Sequence, residues 1–251
     1  MVSETNKIVW RLLQCRTVAD FLRLPPDKRE EILAKCLLQA QPVVIEEGFE
    51  TYHILLCGYE VGRNDNGKRL TQEAAAVYYR NTFIVRMHWL CEFMSDTIAD
   101  GVTPVRTGPM LRGTLIIHAD IDCHLTVPFA DDVDTLCAWT RSALEDLFEF
   151  VNASRIVLVL RGEGPQDGSD PATQDVLKDI ATVISRLLTV FGERFEIKKD
   201  AFRPSKHSHS FRSYWNAPTD PARQRVRDGI ATFEEVMQVR IEGWIASRNA
   251  P

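Results

Sequence analysis

Arg155-Ile156-Val157-Leu158-Val159-Leu160-Arg161 is the stretch that decides the fold of this 251-residue chain. Five consecutive apolar residues, three of them β-branched, stand between two arginines, and a glycine follows. The run is too short for a buried helix and too uniformly apolar for a strand with one wet face. It therefore predicts a strand that is covered on both faces. Long amphipathic segments lie before and after it, which is typical of a parallel sheet with crossover helices.

Strands and helices alternate along much of the chain. Further strands are predicted at 43–45, 52–56, 82–85, 115–117 and 195–197, the first two as a hairpin. Helical spacing of apolar residues predicts helices over 87–98, 133–151 and 171–191, and from 220 to the terminus. Turn residues predict loops at 63–68 and 200–220. The expected fold class is α/β, with a mostly parallel sheet, right-handed crossovers, an N-terminal helical segment and a long C-terminal helix.

We divide the chain into an N-terminal helical segment, residues 1–41, and an α/β domain, residues 42–251, packed as one unit. Apolar residues make up 45% and charged residues 26% of the sequence, which excludes wholesale disorder. The six cysteines are scattered without C-x-x-C spacing, so we expect buried free thiols. We find neither a secretory signal nor an apolar run of about 20 residues, and we expect an intracellular protein with no membrane association.

The charge is unevenly distributed. The formal net charge is −5, yet residues 194–227 carry nine Lys or Arg against three Asp or Glu. Aromatic residues are interleaved with these basic ones, a mixture that can bind single-stranded nucleic acid. The acidic overall charge argues against that function. The alternatives are a partly packed loop with solvated charges, or a surface that meets an acidic partner or a second copy of the chain.

His118, Asp120, Asp122 and His124 form the cluster that most resembles a metal site. If the strand beginning near residue 115 continues, all four side chains project from one face. A straight strand, however, separates the two histidines by about 20 Å, whereas metal ligands must lie within about 2.2 Å of one centre. We therefore predict no metal site and no cofactor unless the chain bends sharply there.

The loop Gly162-Glu163-Gly164-Pro165-Gln166-Asp167-Gly168 follows a strand and precedes a helix, as phosphate-binding loops do. Its length, its G-x-G-x-x-x-G spacing and its acidic residues favour a plain surface loop. No G-x-S-x-G elbow or catalytic cysteine setting is present in the sequence. The sequence thus indicates no particular chemistry.

A proline pair marks the start of an N-terminal helix. Pro25 excludes the α conformation at Leu24, while Pro26 suits the first helical position. Acidic residues follow near the positive end of the helix dipole. We expect one apolar stripe along this helix, formed by Ile32, Leu33, Cys36, Leu37 and Ala40.

Two ordered motifs resemble a known family. Phe21-Leu22-Arg23-Leu24-Pro25-Pro26-Asp27-Lys28-Arg29-Glu30-Glu31-Ile32-Leu33 resembles the segment L-x-x-L-P-x-E-x-R-x-x-I of fungal F-box-like proteins of unknown function. Gln72-Glu73-Ala74-Ala75-Ala76-Val77-Tyr78-Tyr79-Arg80-Asn81-Thr82-Phe83 is similar to the E-A-x-x-x-F/Y-Y-x-x-N-T-F signature that usually follows it. The pair covers roughly residues 17–85, with Asp27 where glutamate is usual.

The resemblance implies a protein-interaction role. In F-box proteins the helical segment docks on the Skp-type adaptor of a cullin ubiquitin ligase, and the remainder presents a substrate. Carried over to this chain, the docking residues would be Leu22, Leu24, Pro25, Ile32 and Leu33; the alternative is that they pack on the protein's own core. The competing hypothesis for the function is a metal-dependent or phosphate-processing enzyme that uses the cluster at 118–124.

Overall fold

The chain divides into two compact units, Met1–Leu115 with Glu149–Ser154, and Ile116–Phe148 with Arg155–Pro251. The structure is a computed structural model, and it describes Leu13 and residues 16–45, 65–94, 107–121, 140–200 and 208–248. The predicted α/β class, with a mostly parallel sheet, a crossover helix and a long C-terminal helix, is confirmed. The predicted boundary after residue 41 stays a prediction.

The elements of the first unit are mostly helical. They are α1 (Val18–Leu22), α2 (Pro26–Leu37), β1 (Val43–Ile45), α3 (Asp65–Tyr78), β2 (Phe83–Arg86), α4 (Leu90–Met94), α5 (Thr107–Met110) and a 3-10 turn at Met87–Trp89. The strands β1 and β2 pair in parallel, Val43 beside Phe83. Both α1 and α2 pack on α3.

The second unit contains most of the strands. Its elements are β3 (Thr114–Asp120), β4 (Arg155–Arg161), α6 (Pro171–Phe191), β5 (Phe195–Asp200), β6 (His209–Ser210), α7 (Asp220–Asp228) and α8 (Phe233–Arg248). The first two residues of β3 belong to the first unit, since the second unit begins at Ile116. β3 lies beside β4, β5 runs parallel to β4, and β6 is antiparallel to β5. Three-residue and four-residue 3-10 turns lie at Gly192–Arg194 and Arg212–Trp215.

β4 is the predicted doubly covered strand. All five residues from Ile156 to Leu160 are at most 6% exposed. The neighbouring strands β3 and β5 alternate between buried and half-buried residues, so each of them has one face covered less completely. The continuous apolar run thus marks the most deeply buried strand of the second unit.

The helix α6 connects β4 to β5 and begins where the sequence predicts. Asp170 caps it by accepting a hydrogen bond from the backbone N–H of Thr173 at 2.9 Å, and Pro171 occupies the first turn. Leu177, Ile180, Ile184 and Leu187 are fully buried on its inner face. The residues 140–145 are also helical and lead into a 3-10 turn at Asp146–Glu149, within the predicted helix 133–151.

Two predictions in the C-terminal part are wrong. The segment 200–220 is not only loop, because β6 extends the sheet and Phe211 and Tyr214 are buried. The predicted single C-terminal helix is two helices, because Gly229 takes a left-handed conformation (φ +74°) and caps α7. Ile230, which directly follows this glycine, is 70% exposed.

Three predictions in the N-terminal part also need correction. The loop predicted at 63–68 is helical from Asp65 onward, and an acidic residue in the first turn suits that helix start. The buried stripe of α2 is Arg29, Leu33 and Leu37, so Ile32 is only half-buried. Cys36 and Cys91 are exposed, whereas we expected buried thiols. The predicted strand 52–56 and the other cysteines lie outside the described residues.

No described helix is both long enough and apolar enough to cross a membrane.

Gly113 is a position where only glycine fits. A Cβ at this residue would lie 1.8 Å from the carbonyl oxygen of Asn81. The contact is with backbone, which cannot move aside as the end of a flexible side chain can, and Gly113 N–H also donates to the carbonyl of Tyr79 at 3.0 Å. We expect Gly113→Ala to lower the free energy of unfolding by about 3 kcal/mol in urea denaturation.

The matched control is Gly243→Ala in α8, where a Cβ would meet nothing within 4 Å. Alanine in a helix interior should raise the free energy of unfolding by about 0.5–1 kcal/mol. Equal effects of the two substitutions would contradict the close approach at Gly113.

Candidate partner-binding surface

A turn between two helices carries most of the predicted docking residues. Thr17 caps α1, accepting a hydrogen bond from the backbone N–H of Asp20 at 3.1 Å. The helix ends at Leu22 because Pro25 and Pro26 follow. Pro25 then takes an extended conformation (φ −53°, ψ 143°), and α2 begins at the next residue.

The buried side chain of Arg29 fixes this turn. Its Nη1 donates to the carbonyl oxygens of Leu22 at 3.2 Å and Leu24 at 2.5 Å. Its Nε and Nη2 donate to the two carboxylate oxygens of Glu73 on α3, at 2.6 and 2.9 Å. Carbonyls at a helix end lack partners within the helix, and a charged donor satisfies them strongly. One guanidinium thus joins the end of α1, the turn and α3.

The pKa of Glu73 is lowered by this arrangement. Burial alone raises the pKa of the carboxyl, but the hydrogen bond and charge of Arg29 outweigh that effect. Arg69, one turn earlier on α3, adds a further hydrogen bond at 3.2 Å. The carboxylate therefore stays ionised to lower pH than an ordinary glutamate does.

Further contacts join the second motif to α2 and to the residues that follow α2. Asn81 donates through Nδ2 to the carbonyl of Leu37 at 2.9 Å and accepts at Oδ1 from the N–H of Gln39 at 2.8 Å. Arg80 pairs with Glu30 at 2.6 Å, although both side chains are largely exposed. The polar residues of the motifs, Arg29 and Asn81 among them, thus hold the fold of the first unit together.

The five predicted docking residues divide by exposure. Leu33 is 1% exposed and belongs to the unit's own core. Leu22, Leu24 and Ile32 are half-buried, and Pro25 is exposed. These four remain accessible to a partner.

A groove of about 340 Å³ lies between α2 and α3. Its lining residues are Pro26, Arg29, Glu30, Leu33, Glu73, Ala76, Val77 and Arg80. Our sequence analysis did not single out the Arg29–Glu73 pair beneath it. The available signal was the spacing of Arg29, four and eight residues before Leu33 and Leu37, which puts it on the buried stripe of α2.

The residues of the predicted metal cluster come together only in part. His118 and Asp120 lie on one face of β3, close to Arg161 of β4: Nη1 of Arg161 is 3.5 Å from Nδ1 of His118, and its Nε is 3.9 Å from Oδ1 of Asp120. Asp122 and His124 lie outside the described residues. Within the described ranges no group of three or more His, Cys, Asp or Glu could hold a metal ion. A guanidinium beside two of the proposed ligands disfavours a cation there.

The glycine-containing loop at 162–168 is tied to a buried lysine. Lys199, which is fully buried, donates from Nζ to Asp170 Oδ2 at 2.5 Å, Thr173 Oγ1 at 2.9 Å and the carbonyl of Glu163 at 2.8 Å. These three bonds use all three ammonium donors. The hydrogen bonds from Lys199 and Thr173 outweigh burial and lower the pKa of Asp170. The loop thus contacts the buried ammonium through the Glu163 carbonyl, and the aspartate that caps α6 forms an ion pair with the same ammonium.

Four of the nine basic residues at 194–227 pair with acidic residues of the same unit. Arg212 pairs with Glu193 and donates to the carbonyls of Gly192 and Phe195 at 2.9 and 2.7 Å. Two further arginines pair with acids of α8: Arg223 with Glu242, and Arg225 with Glu235. Lys199 is buried, as described above. These four charges are compensated within the protein, which leaves less of the segment's positive charge for a nucleic-acid backbone.

Comparisons with family models, with curated proteins and with solved structures found no match to this chain.

Asp170 provides a test of the buried lysine. We expect Asp170→Ala to lower the free energy of unfolding by about 4 kcal/mol, because it leaves a buried ammonium unpaired and removes a helix cap. Asp170→Asn keeps an oxygen for the cap, so its loss should be smaller by about 1 kcal/mol. Urea denaturation measures both, and two losses below 1 kcal/mol would contradict the ion pair.

Glu73 should make stability depend on pH. Since folding lowers its pKa, its stabilising effect is fully present above the ordinary glutamate range and is lost as pH falls through the folded value. At pH 7 we expect the free energy of unfolding of Glu73→Gln to be about 2 kcal/mol lower than that of the wild type. The difference should shrink in acid. A gap that is the same at pH 7 and pH 3 would contradict this role.

Proposed function

We propose that the chain is an intracellular protein-interaction protein whose α1–α2 segment docks on a Skp-type adaptor of a cullin ubiquitin ligase. The observation that carries this proposal is an apolar turn whose backbone is held by hydrogen bonds from Arg29. Leu22, Leu24 and Pro25 retain exposed surface, while Arg29 holds the backbone beneath two of them. The resemblance of the two motifs to fungal F-box-like proteins supports the same function.

A fixed turn is suited to binding because less ordering is needed when the partner arrives. Loop and side-chain ordering opposes association, and a segment already held in one conformation avoids part of that cost. Apolar side chains that are half-covered in the free protein can still bury further area against a partner. A fully buried leucine contributes roughly 1.5–3 kcal/mol relative to an exposed one, so each half-buried side chain here has about half of that to offer.

In this proposal the second unit serves as the part that presents a substrate. Four of the nine basic residues at 194–227 pair with acids of this unit, which weakens the case for nucleic acid as that substrate. The alternative of a metal-dependent or phosphate-processing enzyme has less support, because Arg161 lies beside two of its candidate ligands and the loop at 162–168 serves an internal ion pair. We therefore favour a protein substrate.

Leu24→Asp tests the proposal. A charge at a desolvated contact should weaken binding to a recombinant Skp-type adaptor by about 2 kcal/mol or more, roughly 30-fold in Kd. Leu24 is already half-exposed in the free chain, so the fold should tolerate the change. Isothermal titration calorimetry with the full chain measures the affinity, and circular dichroism checks the fold.

The control is Ile230→Asp, which adds the same charge at a 70% exposed apolar residue between α7 and α8. Its Kd should stay within about twofold of wild type, since an exposed residue outside the interface contributes little. A wild-type chain that does not bind the adaptor, or equal losses for the two variants, would refute the proposal.

A further inference from the structure

The helix that precedes the docking turn has little to hold it in place by itself. α1 has five residues, of which Phe21 is the buried one. A helix this short is not stable without tertiary contacts. Phe21 is its one buried side chain, so another contact must fix the backbone conformation of the residues that follow, Leu22 to Leu24.

Arg29 supplies that second contact. Its hydrogen bonds to the carbonyls of Leu22 and Leu24 lie on either side of Arg23, where α1 ends. The remaining bonds within this part of the turn are local: Arg23 N–H donates to Ala19, and Leu24 N–H to Phe21. Arg29 thus ties the turn to the rest of the unit.

Glu73 in turn orients Arg29. The two carboxylate oxygens receive Nε and Nη2, a paired geometry that holds the plane of the guanidinium and aims Nη1 at the turn. The Glu73 side chain is 26% exposed, whereas that of Arg29 is 6% exposed. The orienting carboxylate is therefore the more accessible member of the pair and lies 44 residues beyond the arginine that it directs.

We propose that Arg29, oriented by Glu73, is the positioning residue of the docking turn, so that the second motif sets the affinity of the first for its partner. The effect on affinity rests on the proposed function, whereas the effect of Arg29 on the turn is independent of it. Arg29 would touch no partner atom in this arrangement; it acts through the backbone of Leu22 and Leu24.

Hydrogen exchange on the full chain, followed by mass spectrometry, tests the positioning directly. Glu73→Gln removes the charge and keeps the size, and Arg29→Lys keeps the charge without the forked geometry. Both should speed the exchange of the amides of residues 20–24 about tenfold, since the turn then opens locally. Exchange in α6 of the second unit should be unchanged and serves as the internal reference. The same variants should weaken adaptor binding by about tenfold in Kd.

Glu30→Gln is the matched control. It breaks another ion pair between α2 and the end of α3, Glu30–Arg80, which does not touch the turn. Its exchange at 20–24 and its Kd should stay within about twofold of wild type.

Unchanged exchange at 20–24 in Glu73→Gln and Arg29→Lys would overturn the proposal. So would an equal rise throughout α2 and α3, which indicates a general structural role, or a rise in Glu30→Gln as large as in the other two. If the wild-type chain does not bind the adaptor, the proposed function fails, and the exchange data alone decide whether Arg29 positions the turn.

Discussion

A buried guanidinium must have its donors satisfied within the protein, and the first unit is arranged around that constraint. Arg29 lies on the inner stripe of α2, where leucines would otherwise continue the apolar packing. Its charge is compensated by Glu73, and its Nη1 donates to the carbonyls of Leu22 and Leu24. An unpaired charge at this position would cost several kcal/mol. The pairing therefore explains how α1 and the turn after it are held against α2 and α3.

The second unit shows a similar constraint in a different setting. Ile156–Leu160, the interior of its most buried strand, is wholly apolar, as an inner parallel strand should be, yet the neighbouring β5 carries the fully buried Lys199. The ammonium is compensated by the carboxylate that caps α6, by a threonine and by a loop carbonyl. A single aspartate thus serves both the start of the crossover helix and the charge beneath it. In both units a long cationic side chain is accepted into the interior where it can join separate segments.

How far the sequence predicts the structure depends on the range of the interactions involved. The apolar run at 156–160 and the Asp-Pro helix start at 170–171 are local signals, and both are confirmed. The break at Gly229 was missed because apolar spacing continued across it, although a glycine can end a helix. Arg29–Glu73 and Lys199–Asp170 join residues far apart in the sequence, so composition and periodicity indicated only charged residues. The irregular segment after β5 gained its order from burial of Phe211 and Tyr214, which no local pattern revealed.

The functional account rests on the claim that the turn between α1 and α2 is the surface that meets a protein partner. The most direct measurement is a nuclear magnetic resonance titration of the isotope-labelled full chain with a Skp-type adaptor. The account predicts that amide shifts change at residues 18–33 and that the amides of α6 and α8 keep their positions. Shift changes confined to the second unit, or none at all at saturating adaptor, would contradict it.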